Sequence, residues 1–65
     1  MASQAQTYTL LVTDKRYSVP TLAFFTGLEA DARAAAKSRL DESTHHLSVE
    51  VRDGERMVFR VDRPA

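Results

Sequence analysis

The chain has 65 residues, 43% of them hydrophobic and 28% charged, and its nine basic and nine acidic side chains give a formal charge of zero. This length builds one core, and the composition is too apolar for a chain that stays unfolded, so a single domain is expected over residues 1–65. The absence of cysteine excludes disulfides and thiolate zinc centres, and charge neutrality removes the global pull of a dedicated nucleic-acid or anionic-membrane binder. Ordering cost and apolar burial nearly cancel at this size, which leaves association as the remaining source of added stability.

Met1 to Gln6 is polar and uncharged and is expected to be flexible; it lacks the apolar stretch of a secretory leader. No run approaches the ~20 apolar residues of a membrane span, so the expectation is a soluble cytoplasmic protein without a membrane segment. Thr7 to Thr13 alternates Tyr8, Leu10 and Val12 against threonines, the pattern of a first strand, with Leu11 out of phase. Asp14 to Ser18 reads as a charged connector, and Pro20 stands where a strand can begin without an amide donor.

The second strand, about Val19 to Thr26, is apolar in both parities, Leu22 and Phe24 in one and Ala23 and Phe25 in the other. Gly27 ends it, and Glu29 to Glu42 is built from strong helix formers, with Asp31 either as N-cap or as a first-turn acid and Lys37 and Arg39 toward the carbonyl end. The helical stripe Ala32, Ala35, Ala36 and Leu40 is nearly all alanine, which permits close approach to a sheet but contributes little area.

Leu47 to Arg52 and Met57 to Asp62 alternate as two further strands joined at Asp53-Gly54. A two-residue turn at Asp53-Gly54 would set Val51 against Arg56 and Val49 against Val58. A three-residue loop with a glycine bulge would set Val51 against Glu55, Val49 against Met57 and Leu47 against Phe59, and it is preferred because it gathers the large apolar residues except Val58 on one face. The expected fold is α+β, ββαββ, a four-stranded antiparallel sheet in order 2-1-3-4 with one helix on one face.

No glycine-rich phosphate loop and no nucleophile elbow surround the serines, and neither an enzyme activity nor a cofactor is expected. His45 and His46 adjoin Asp41 and Glu42 but, as neighbours on a strand, would point to opposite faces; they read as solvated loop residues rather than metal ligands. Arg52, Arg56 and Arg60, with Lys15, Arg16 and Tyr17, form a candidate surface for single-stranded nucleic acid, although Glu50, Glu55 and Asp62 are interleaved and favour cross-strand ion pairing.

If Tyr8, Leu10, Val12, Leu22 and Phe24 line the core, then Leu11, Ala23, Phe25 and Val58 occupy the sheet face away from the helix. Swapping the phase instead puts Leu11 and Phe25 inside, and an apolar patch survives either choice. The leading expectation is therefore a non-enzymatic interaction module, a homodimer or a partner of another protein through the apolar face or an edge strand, with Leu11, Ala23, Phe25 and Val58 as interface candidates. Nucleic-acid binding is the alternative.

The stretches Asp31-Ala32-Arg33-Ala34-Ala35-Ala36 and Val49-Glu50-Val51-Arg52-Asp53-Gly54-Glu55-Arg56-Met57-Val58 resemble short uncharacterised bacterial proteins that pair an Ala- and Arg-rich helix with a closing Asp-Gly hairpin. Many of those carry an aromatic residue where Arg52 stands. The resemblance covers about the last half of the chain, implies the hairpin-helix-hairpin order and a bacterial source, and transfers no active site.

Overall fold

A computed structural model describes residues 5–64, arranged as β1 (Gln6–Asp14), β2 (Thr21–Gly27), α1 (Glu29–Asp41), β3 (His46–Asp53) and β4 (Arg56–Asp62). The four strands form one antiparallel sheet in the order β2-β1-β3-β4, as the alternation and the returning helix require, and α1 packs most heavily on β3. No helix among the described residues is long and apolar enough to cross a membrane. Of the segment expected to be flexible, residues 1–4 lie outside the described part, and Gln6 pairs with Gly27 as the first residue of β1.

The core lies between α1 and one face of the sheet. Tyr8, Leu10 and Val12 of β1 and Val49 and Val51 of β3 meet Ala32, Ala36 and Leu40 of α1, and all are buried. Alanine at 32 and 36 leaves no side chain to hold the helix off, so its backbone comes down onto the sheet and both residues reach zero exposure. Leu28 occupies the N-cap position without a side-chain cap, and Asp31 serves as a first-turn acid beside Glu29.

Cross-strand partners share a face, and Tyr8 pairs with Phe25 while Leu10 pairs with Ala23. Ala23 and Phe25 therefore stand on the helix face, half-buried against the core, and Leu22 and Phe24 are exposed on the opposite face. This corrects the expected phase of the second strand. Being apolar in both parities, β2 gives its own alternation no power to choose a face; the pairing to β1 chooses it. Gly27, on the Phe25 side, leaves room for that ring, since a Cβ at Gly27 would lie 2.8 Å from it.

The last hairpin closes in neither expected register. Gly54, at φ 63, and Glu55 form a two-residue loop with glycine at its first position, and Asp53 faces Arg56. The register then shifts between Val51 and Arg52, so that Val51 faces Phe59, Arg52 faces Met57, and Val58 is the extra residue of a bulge. Val58, assigned by alternation to the outer face, packs with Phe59 and Val61 against the core, whereas Met57 is exposed. The bulge resolves the crowding of four apolar residues in one strand by turning two successive side chains inward.

Candidate functional site

At the end of the sheet where β1 leaves and β3 enters, the helix face carries a charged cluster. Asp14 continues the Tyr8, Leu10, Val12 parity of β1 and is only 3% exposed, so the chain buries a carboxylate where the pattern calls for an apolar residue. That burial is tolerable because both carboxylate oxygens find donors. Arg16 donates its backbone N–H at 2.8 Å and its Nε at 3.0 Å to Oδ1, and its Nη2 at 2.7 Å to Oδ2. The tight turn that brings Arg16 back is closed by the Tyr17 N–H donating to the Asp14 carbonyl at 3.1 Å. The Arg16 guanidinium outweighs the cost of burial and holds the Asp14 carboxyl well below the usual carboxylate range, and the same pairing pushes Arg16 up.

A second bulge supplies the histidine. The β1–β3 register shifts between Thr13, which faces Ser48, and Asp14, which faces His46, leaving Leu47 as the extra residue. This re-aims β3, so that Leu47 is exposed rather than inward and His46 stands opposite Asp14. His46 donates its Nδ1–H to the Arg39 carbonyl at 2.6 Å, which fixes the ring tautomer and turns Nε2 toward Asp14 Oδ2 at 3.7 Å. His45 lies in the turn before β3, its carbonyl accepting from the Lys15 N–H, and its buried Nδ1 has no partner. The two histidines thus diverge. Among the described residues no group of three His, Cys, Asp or Glu is placed to hold a metal ion.

Arg63, just beyond β4, completes this end of the molecule. Its guanidinium donates to the carbonyls of Leu40, Ser43 and His46, and its N–H to the Leu47 carbonyl at 2.8 Å. It therefore takes up carbonyls left open at the end of α1 and ties the start of β3 to the end of β4. Between this end of α1, the β1–β2 connection and the start of β2 lies an open cavity of about 490 Å³, whose lining includes Asp14, Arg16, Tyr17, Arg39, Glu42 and His46.

The six residues considered for nucleic-acid contact do not converge. Arg52 and Arg60 lie on the sheet face opposite α1, where both pair with Glu50 and Arg60 also with Asp62. Arg56 sits beside the hairpin loop near Asp53, and Lys15, Arg16 and Tyr17 are in the connection at the other end of β1, with Arg16 engaged by Asp14 and lying over the Tyr17 ring.

Of the four interface candidates, Leu11 alone lies on the face away from the helix; it pairs with Leu22 on one side and Glu50 on the other. Ala23 and Phe25 are on the helix face of β2, and Val58 belongs to the bulge packed on the core. Among the open apolar residues are Leu22 and Phe24, 58% and 67% exposed, on a strand whose outer edge has no neighbour among the described residues. No family model, curated protein or solved structure matches this chain.

Proposed function

We propose that the protein is a non-enzymatic interaction module that pairs with a second copy of itself along β2. The observation that carries the reading is the character of that edge. From Thr21 to Gly27 it has no charged residue and no proline, its outer row of backbone groups pairs with no strand among the described residues, and Leu22 and Phe24 are exposed. Two copies of one strand joined antiparallel about a twofold axis use identical surfaces, so an uncharged strand meets itself without like-charge repulsion.

Pairing of this kind extends the sheet to both sides. Leu11, Leu22 and Phe24 line the junction on the open face, and Ala23 and Phe25 line it on the helix face. Val58, inside its own chain's core, takes no part. Stacking of whole open faces is disfavoured because the β3–β4 half carries Glu50, Arg52 and Arg60, whose ion pairs would be desolvated. The cysteine-free composition and the resemblance to short bacterial proteins support a bacterial, cytoplasmic setting for the dimer.

Sedimentation equilibrium tests the reading. The wild type is expected to be dimeric at micromolar concentration, and Phe24→Lys, which puts an exposed charge against its own symmetry mate, should raise the dissociation constant by about a hundredfold. A wild type that remains monomeric at near-millimolar concentration overturns it.

A further inference from the structure

We infer that the cavity between the β1–β2 connection and the end of α1 is a binding site for a small organic carboxylate with an apolar body. Its volume, about 490 Å³, falls within the range of small-molecule sites. Tyr17, Val19 and Leu22, three of the large apolar residues that the fold leaves exposed, all line it, so part of the open hydrophobic surface gathers at this hollow. All of its lining residues belong to one chain, and Leu22 and Ala23 also border the edge proposed above to pair, so the site is tested both in the wild type and in a variant that does not associate.

The polar lining holds two guanidiniums, Arg16 and Arg39, against the carboxylates of Asp14 and Glu42, and the two ion pairs differ in strength. Arg16 commits Nε and Nη2 to Asp14, so that Nη1 has no partner among the described residues, and Asp14 is engaged by that pairing. Arg39 reaches Glu42 only at 3.5 Å, with both side chains about half exposed, a contact weak enough for an incoming carboxylate to replace. Just outside the lining, the carbonyls of Leu40, at the end of α1, and Ser43, after it, are occupied by Arg63. A ligand carboxylate between the Arg16 and Arg39 guanidiniums gains charge-assisted bonds, while its chain rests on Val19, Leu22 and the Tyr17 ring.

The test is a titration of the full chain followed by amide chemical shifts, with hexanoate, hexanamide and hexylammonium as probes. Hexanoate is expected to give saturable shifts at Val12, Tyr17, Leu22 and His46 in the millimolar range, the amide to bind about tenfold more weakly, and the ammonium not to bind. Arg39→Gln should weaken hexanoate about tenfold, and Glu42→Gln, which removes the competing carboxylate, should tighten it about threefold. Repeating the titration in Phe24→Lys gives the same shifts whether or not the chain associates. Equal response to the three probes, or no saturable shift with hexanoate at about 50 mM, overturns the inference.

Discussion

The two edges of this sheet are built on opposite plans. β4 places Arg56, Arg60 and Asp62 among its seven residues, carries the Val58 bulge, and has Arg33 over its Phe59 ring at 4.9 Å. β2, also of seven residues, has neither charge nor bulge. Charges and bulges are the means by which an exposed strand resists pairing with another chain. One sheet protects one edge by both means and omits both at the other. The contrast teaches that the bare edge is not a general looseness of a small protein: the same sheet shows the means of protection at its opposite edge.

Arg63 anchors the protected side, and removing it should have the largest effect. Arg63→Ala takes donors from the carbonyls of Leu40, Ser43 and His46 at once and is expected to cost about 3 kcal/mol of unfolding free energy, independent of protein concentration, as read by urea denaturation. A loss that shrinks as concentration rises would mean that this end of the sheet also takes part in association.

Exchanging the characters of the edges comes next. Phe24→Lys on β2 should abolish pairing at micromolar concentration, whereas Arg60→Val with Asp62→Val on β4 should add a second association step and drive the dimer toward larger species in light scattering. If the β4 variant stays at the wild-type mass, the bulge rather than the charges protects that edge.

Acid acts on the cluster beside β2. The Asp14 carboxyl titrates lower in the folded chain than in the unfolded one, so its contribution is complete above the ordinary carboxylate range of about 4 and is lost as pH falls below it. Wild type should therefore lose stability steeply below about pH 4, and Asp14→Asn should be less stable at neutral pH with a flatter profile in that window. Identical acid profiles for the two proteins would remove Asp14 from the account. The smallest effect is expected for Gly27→Ala, about 1 kcal/mol, through displacement of the Phe25 ring that a new Cβ would meet at 2.8 Å.

Much of this architecture was legible in the residues. Alternation in β3 places Val49 and Val51 in the core and the alanine stripe gives the inner side of α1, while alternation in β1 groups Tyr8, Leu10 and Val12 on one face without deciding which face the helix covers. What escaped was decided by pairing rather than by local pattern. A strand apolar in both parities cannot announce its face, so the residues of β2 allow either phase and only its pairing to β1 turns Ala23 and Phe25 inward. Val58 and Leu47 broke the period because each occupies a bulge, and a bulge becomes visible only against its partner strand. Asp14 did carry a signal, since it has the parity of the buried residues before it, but its charge suggested a loop until Arg16 supplied the partner. Arg63 carried none: its carbonyl acceptors are 17 to 23 residues away in the chain.

Amide hydrogen exchange of β2 compared with β4, measured across a range of protein concentration, tests the contrast between the edges most directly. Occupation of β2 by a second copy predicts that its outward-facing amides exchange slowly at high concentration and speed up on dilution, while the outer amides of β4 exchange rapidly throughout. Outer amides of β2 that exchange as fast as those of β4 at every concentration would contradict it.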